Sequence, residues 1–558
     1  MDNTGNTKLG FFKSGTPWVW LNAGAVSISI IMVVGLLVLI AVRGLGHFWP
    51  KTIYEIDYID RGNQIVLIGE KAKTETVPVK QLKQAGIQFN SDKEFINRTL
   101  LKTGNKDVNG FDFKLMVTPN EVSTRIPKDA IVFERTEWGN FYGYIKAIKQ
   151  NGEALPLANT DRLWEELQTR IDRVNEVRKR IHKIEKNEIG SINYKIEKLR
   201  LYERSVELKK EDTPEELAKI NQQRESLNNQ YRELKSELDQ LYLEIKRDSA
   251  VMEIMTGLQV EISLANIIKA TRPNEMNIAE KLGQYFINLK DFITDDPREA
   301  NTEGGIFPAI FGTVMMVLLM SIIVTPFGVI AAIYLREYAK QGFITRLVRI
   351  SVNNLAGVPS IVYGVFGLGF FVYYLGGNID RLFFPEALPA PTFGSGGIMW
   401  ASLTLALLTV PVVIVATEEG LARIPRAIRE GSLALGATKA ETLWRTVIPM
   451  ASPAMMTGLI LAVARAAGEV APLMLVGAVK LAPSLPVDLN APFIHLERKF
   501  MHLGFHIYDV GFQSPNVEAA RPLVYATALI LVLVIIVLNI TAIYIRNRLR
   551  EKYRTLEH

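Results

Sequence analysis

The sequence predicts a mainly α-helical, polytopic membrane protein with six transmembrane helices and an inserted α+β extracytoplasmic domain containing an antiparallel coiled-coil hairpin. Three features of the chain point there. Apolar runs of membrane length, almost free of charge, lie at residues 18–42, 307–335, 350–375, 398–417, 451–479 and 523–544, and about 20 such residues suffice to cross the hydrocarbon core as a helix. Residues 43–300, between the first run and the second, have the composition of a water-soluble domain. Inside that domain apolar residues recur at four- and three-residue steps in two series separated by a turn signal, as in two helices sharing a seam.

Composition narrows the function. The 558 residues are 48% hydrophobic and carry a formal charge of +6. Basic loops beside the spans account for that excess, and no compact footprint of Lys, Arg and aromatic residues suggests a nucleic-acid partner. With no cysteine, disulfides, thiolate catalysis and Cys-ligated zinc are excluded. No G-x-x-x-x-G-K-[ST] loop occurs; Gly431 and Gly436 have its glycine spacing, but Ala437 stands where the lysine is needed. The chain therefore has no ATPase site of its own, no cofactor is implied within it, and no hydrolase arrangement marks it as an enzyme.

Taken in order, Lys8 and Lys13 precede the first run, Trp18–Val42, and place residues 1–17 in the cytoplasm. The run is longer than the ~7–15 residues of a signal-peptide core, and Arg43-Gly44-Leu45 offers no small-x-small cleavage site, so it reads as a span. Strand-like segments follow at Thr52–Ile59, Gln64–Gly69, Phe113–Thr118 and Tyr142–Ile148, each bounded by turn-forming residues. The helical hairpin covers about 160–248: Leu167, Ile171, Val174, Val177, Ile181 and Ile184 form one seam, and Leu227, Tyr231, Leu234, Leu238, Leu241 and Ile245 the other. Between them Thr213 is placed to cap a helix that Pro214 opens. Val260–Ala270 reads as a strand returning to the platform, and Asn277–Ile293 as an amphipathic helix lying on the membrane surface.

The charges of the loops set the orientation. Arg336, Lys340, Arg346 and Arg349 follow the second span; Arg423, Arg426, Arg429, Lys439 and Arg445 lie between the fourth and fifth; Arg546, Arg548, Arg550, Lys552 and Arg554 end the chain. The loop 376–397 has only Arg381. By the positive-inside rule both termini, with the tail 548–558, are cytoplasmic, and the insertion is extracytoplasmic in a bacterial inner membrane.

Residues 418–449 form a polar interruption between two apolar runs. In it Glu430-Gly431-Ser432 is followed by Gly436 and then by Thr446-Val447-Ile448-Pro449. This spacing resembles the EAA loop of ABC-importer permeases, with Gly431 and Ser432 in place of the two alanines. The segments 302–314, 353–371 (NNLAGVPSIVYGVFGLGFF), 393–414, 429–439 and 464–478 (ARAAGEVAPLMLVGA) narrow the likeness, within residues 301–547, to the permease subunit of phosphate-specific ABC importers, the PstA-type family. The insertion lies outside that likeness.

The resemblance implies the type I importer permease fold. It also implies a second permease subunit (PstC-type), an ATPase dimer (PstB-type) that binds ATP-Mg, a soluble phosphate-binding protein (PstS-type) and inorganic phosphate as cargo. The coupling contact to the ATPase then falls on Glu430, Gly431, Ser432, Leu435, Gly436, Ala437 and Trp444. Gly436 permits a turn that a side chain would hinder, Leu433, Leu435, Leu443 and Trp444 supply apolar contact, and Glu430 and Arg445 fix orientation.

Arg465 and Glu469, four residues apart inside the fifth apolar run, are candidates for the substrate pathway, since an ionisable group within a span is costly and usually functional. The bland alternative is that they only neutralise each other. Ser360, after Gly357-Val358-Pro359, is a third candidate, at a position where the helix should bend. His502 and His506, at i and i+4, have metal-like spacing without a carboxylate in register, so packing is preferred to metal binding. Two other readings stay open: a permease for another oxyanion such as molybdate or sulfate, and a membrane-anchored coiled-coil sensor or scaffold.

Overall fold

The computed structural model describes residues 15–553 except 61, 85, 86, 88, 90–92, 157, 158, 515 and 516. Lys8, Lys13 and Arg554, on which part of the termini assignment rests, lie outside the described residues. Helix α1 (Thr16–Leu45) opens with Pro17 and leads through a turn at Gly46–Phe48 into the insertion. Its apolar surface is bare except along the last helix of the chain, where a Cβ on Gly44 would stand 2.9 Å from the Tyr525 carbonyl oxygen.

The insertion is built on two antiparallel sheets rather than on the few strands legible in the sequence. The first has the order β4-β3-β2-β1-β5, from β1 (Ile53–Asp60), β2 (Asn63–Pro78), β3 (Phe95–Lys102), β4 (Phe113–Val117) and β5 (Glu121–Arg125). Short helices α2 (Val79–Gln84) and α3 (Lys106–Asn109) sit in its connections. The second comprises β6 (Ile131–Arg135), β7 (Phe141–Gln150), β8 (Glu153–Ala154), β9 (Asp248–Glu253), β10 (Gln259–Ser263) and β11 (Ile267–Thr271), in the order β10-β9-β7-β6-β11 with β8 on the end of β7. The single strand expected at Val260–Ala270 is thus two strands at opposite edges of one sheet. The Ser263 side chain accepts the Ala265 N–H and turns the chain between them.

The hairpin is asymmetric. One arm runs from α4 (Thr160–Lys183) through a π turn at Ile184–Ile189 into α5 (Gly190–Lys209), and the other is α6 (Pro214–Ile245). Thr213 caps α6 by accepting the Glu216 N–H. Because α6 is shorter than the arm it answers, the first turns of α4 have no helical partner. Leu167, Ile171 and Val174, read from sequence as part of a coiled-coil seam, join Leu163 in burying a stripe against Phe133, Ile145, Ile148 and Met252 of the second sheet. Where α6 returns, fully buried Asp248 accepts from Arg170 at 2.8 Å, Arg173 at 2.6 Å and Arg247 at 3.1 Å, pinning the hairpin base to β9. Helix α7 (Ile278–Thr294), with a capping box from Asn277 and Glu280, completes the insertion.

Among the described residues six helical stretches are long and apolar enough to cross a membrane: 17–48, 307–338, 360–383, 398–423, 439–468 and 520–551. After the insertion the chain continues with α8 (Phe307–Ile333), α9 (Phe343–Leu355), α10 (Ser360–Phe366) and α11 (Gly377–Phe383). Then come α12 (Ile398–Arg423), α13 (Arg426–Ala434), α14 (Lys439–Thr442), α15 (Ile448–Gly468), α16 (Ala471–Val476), α17 (Leu503–Tyr508) and α18 (Val517–Tyr553). Helix α12 is the axis, packed between α8 and α15. Gly420 lies against Ala454 and Gly458 against Ala416, small residues that let backbones approach closely in lipid. We call the side on which the insertion sits the insertion face, and the side bearing α13 and α14 the loop face.

Two spans differ from their expected form. The third does not run unbroken over 350–375: amphipathic α9 ends at Leu355, and a new helix starts at Ser360, because Pro359 denies its predecessor the helical conformation. The fifth does not reach Val479; α15 stops at Gly468 and α16 is a separate short helix.

The loop between α16 and α17 folds back over the insertion face. Ile398 and Met399 donate to the carbonyls of Arg498 (2.9 Å) and Leu496 (3.0 Å), and Val479 donates to Phe500 (3.0 Å). Burial works to raise the Asp488 carboxyl but is outweighed by hydrogen bonds from the Asn490 backbone, Arg498 and His495, which hold it at about 2. The hairpin does not simply project away from the membrane, for α5 lies on this loop. Ser191 donates to the Asn490 side chain at 2.9 Å, and Tyr194 and Lys198 donate to the Ala491 carbonyl at 2.8 Å each. Further along, His502 and His506 are buried, and burial lowers them to about 3 and about 4, with Asp509 opposing and Lys480 assisting at His506.

Two predictions follow from these buried groups. Asp248→Ala leaves three guanidinium groups facing a buried gap and should destabilise the chain by about 3–5 kcal/mol, whereas Lys179→Ala, at an exposed pair, should leave the melting temperature nearly unchanged; thermal unfolding of the purified protein in detergent measures both. Below pH 6.5 the unfolded chain binds protons that folded His502 and His506 refuse. Stability is therefore fully present above 6.5 and falls as the pH drops toward 4. His502→Gln should flatten that part of the melting-temperature profile.

Candidate functional site

The loop face presents a knob. Ile424 ends its helix in extended conformation, and α13 leads to Leu435, whose N–H reaches the Gly431 carbonyl at 3.1 Å. Gly436 then turns the chain at φ +88°, a region that only residues without a Cβ enter freely. Thr438 and Glu441 form a capping box for α14. Across the turn the hydroxyls of Ser432 and Thr442 lie 2.9 Å apart.

What the knob shows to solvent is apolar. Leu435 is 91% exposed and Trp444 70%, with Leu433 between α13 and the turn also exposed. Glu430, Gly431 and Gly436 are exposed, while Ser432 and Ala437 are half-buried. Leu443 is not available for contact as expected; it is buried with Leu421, Ile424, Val447 and Ala451, anchoring the knob from beneath. Its helical position three residues before Thr446 puts it on the inner face while its neighbour Trp444 points away.

Two residues that the sequence marks only as basic loop charge hold the knob in place. Arg429 pairs with Glu337 at 2.9 Å and donates to the carbonyls of Leu421 (2.8 Å) and Ile424 (3.0 Å), satisfying the end of α12. Lys439 donates to the Glu337 carbonyl and lies over the Tyr338 ring at 4.6 Å. Arg429 and Lys439 thus fix the orientation of α13 and α14 within the chain. The available signal was Glu337, an acid set among the basic residues of the loop after the second span. A similar tie joins α9 to α12, where Arg349 meets Glu418 at 3.2 Å.

The second constellation lies deeper. Arg465 sits in the last turn of α15, and Glu469 is already in extended conformation beyond it. The two are therefore not partners along a continuous helix in mid-span. Their closest N···O distance is 3.7 Å, longer than a hydrogen bond, and both side chains keep partial exposure. Among the described residues the Arg465 guanidinium has no hydrogen-bonded acceptor.

Facing this break is the one between α9 and α10. Helix α10 packs on α16, where a Cβ on Gly364 would meet the Pro472 backbone at 2.7 Å. Tyr363 lies within electrostatic reach of Arg465, and its hydroxyl donates to the Leu355 carbonyl at 2.6 Å, serving an acceptor that the end of α9 leaves free. Ser360, half-buried, stands one turn before Tyr363 on the same face of α10, at the first helical position. Ser360 and Tyr363 at the start of α10, and Arg465 and Glu469 at the end of α15, thus lie beside the two breaks, linked by the reach of Arg465 to Tyr363.

The family model described as binding-protein-dependent transport system inner membrane component matches residues 324–554. The phosphate transport system permease protein PstA 1 of Mycobacterium tuberculosis H37Rv is 34% identical over 245 residues, 44% of this chain and 70% of the relative. The corresponding PstA of Yersinia pestis is 32% identical over 259 residues, 46% of this chain and 77% of that one. The chain belongs to this permease family.

As a PstA-type member it is a multi-pass inner-membrane component that works with a separate ATPase and a substrate-binding protein. The knob and the paired breaks both fall inside the matched region, and the two-sheet insertion falls outside it.

At the knob, Gly436→Val forces a β-branched side chain to positive φ at a cost of roughly 1–3 kcal/mol, while Gly436→Asn is tolerated there. No neighbour lies within 4 Å of a Cβ at this position, so the strain is in the backbone alone. Co-purification with the ATPase should fail for the valine variant and persist for the asparagine one, with the permease folded in both.

Proposed function

We propose that this chain is the PstA-type permease subunit of an ATP-driven phosphate importer and forms half of its translocation pathway. The observation that carries the proposal is the meeting of the α9/α10 and α15/α16 breaks around Arg465, whose guanidinium lies 3.7 Å from the Glu469 carboxylate and makes no hydrogen bond among the described residues. In hydrocarbon, broken helices are tolerated only where other groups serve the freed backbone, and such breaks build substrate sites near the bilayer midplane. The first N–H groups of α10 and the Ser360 hydroxyl are donors, Arg465 is a planar cation, and an oxyanion takes both. Glu469 limits the site by repelling an anion held too far along the path.

Coupling runs through the knob. Leu435 and Trp444 enter a cleft on a PstB-type ATPase dimer, which binds ATP-Mg, and Glu430, Gly431, Ser432, Gly436 and Ala437 shape that contact. Arg429 and Lys439 transmit its movement to α12 and to the end of α8. A PstC-type permease supplies the other half of the path, and a PstS-type protein delivers phosphate. The loop face, with Arg423, Arg426, Arg429, Lys439 and Arg445, is cytoplasmic together with both termini, and the insertion is extracytoplasmic.

Arg465→Ala should lower phosphate uptake by roughly ten- to a hundredfold, the scale of a lost charge-assisted hydrogen bond, in a complex that assembles fully; Arg465→Lys should fall between. Uptake of labelled phosphate by reconstituted complexes measures this, with molybdate and sulfate as competitors. Wild-type uptake by the alanine variant would overturn the pathway assignment, and preferential uptake of another oxyanion would overturn the cargo.

A further inference from the structure

We infer that α5 is a hinged latch on the outer mouth of the pathway, a role that rests on the transport reading above. The contact has two parts, a polar one with the loop between α16 and α17 and a second against the turn at Pro385–Ala387. Ser191 meets Asn490, and Tyr194 and Lys198 share the Ala491 carbonyl. The Tyr194 ring meets the His495 ring edge-on, 5.6 Å between centroids. Partly exposed hydrogen bonds of this kind exchange with water at little net cost.

A hinge lies directly before the contact. Helix α4 is bedded on the second sheet by five buried side chains, Leu163, Leu167, Ile171, Val174 and Ile181. The π turn Ile184–Ile189 and Gly190 then intervene before Ser191. A π segment is a local defect in the hydrogen-bond ladder and is frequent at functional sites. Beyond it α5 buries only Ile192 and Val206, so the arm is held far less firmly than its base.

The latched loop is tied to the spans that carry the substrate site. A Cβ on Gly397 would stand 2.4 Å from the Glu497 carbonyl oxygen, and one on Gly477 would stand 2.6 Å from that of Gly397. With backbones this close, the loop, the start of α12 and the end of α16 move as one body. Helix α16 begins two residues after Glu469. An arm fastened by three hydrogen bonds to this loop and resting on the turn at Pro385–Ala387, beside a hinge, is suited to release this body when the outer mouth opens, and alternating access requires that opening.

The chain has no cysteine, so S191C/N490C introduces the only thiol pair. In the reconstituted complex the reduced variant should take up phosphate, and cross-linking with a short bis-thiol reagent should cut uptake by about tenfold or more, with recovery on reduction. Uptake by the cross-linked complex at the reduced rate would overturn the latch. As a second measurement that leaves the hairpin intact, Y194F/K198A should raise ATP hydrolysis in the absence of phosphate severalfold; unchanged hydrolysis would also overturn it. Absence of phosphate uptake by the unmodified complex would instead count against the transport reading, while the hydrolysis measurement still decides the latch.

Discussion

Hydrocarbon offers a peptide group no hydrogen-bond partner, and this constraint governs the membrane half of the protein. It makes every crossing helical and turns each interruption of a helix into a position that other groups must serve. The chain interrupts two crossings at one level, after Leu355 and after Gly468. The Tyr363 hydroxyl serves one freed carbonyl, and close contact between α10 and α16 keeps both breaks away from lipid. Arg465, partly exposed and 3.7 Å from the Glu469 carboxylate, has no hydrogen-bonded acceptor among the described residues, and in the proposed function its donors take the transported anion.

The same bundle separates force from cargo. Helix α12 touches both α8 and α15, and its end is finished by Arg429, which also reaches Glu337. In the proposed function a push on Leu435 and Trp444 is received by a framework that includes the axis of the domain. The apolar knob can stay exposed because Leu443, Val447 and Ile424 form a small core of their own beneath it. Its glycine turn sets the direction in which the exposed side chains point.

The insertion is a domain in its own right, with a core between its second sheet and α4, yet it is not independent of the transporter. Its arm reaches the loop that backs onto α12 and α16, so the two halves of the chain meet where the pathway opens. Buried Asp248, held by three arginines, fixes the base from which that arm extends.

Much of this was legible in the sequence because hydrophobicity and charge are local properties. Membrane-length apolar runs, the basic loop between the fourth and fifth spans, the Glu430–Gly436 spacing and the Thr213-Pro214 helix start each depend on a few neighbouring residues, and so did the family resemblance. What required the tertiary structure were matters of pairing between distant residues. The apolar stripe of α4 reads as a coiled-coil seam whichever surface covers it, and only the short length of α6 gives it to the sheet. Leu443 and Trp444 are adjacent and both apolar, and only the packing beneath α14 decides which is buried. Arg465 and Glu469 look like helix neighbours, and only the end of α15 shows that they are not; no sequence spacing reveals that this break faces the one at Pro359, because the two are joined by the fold alone.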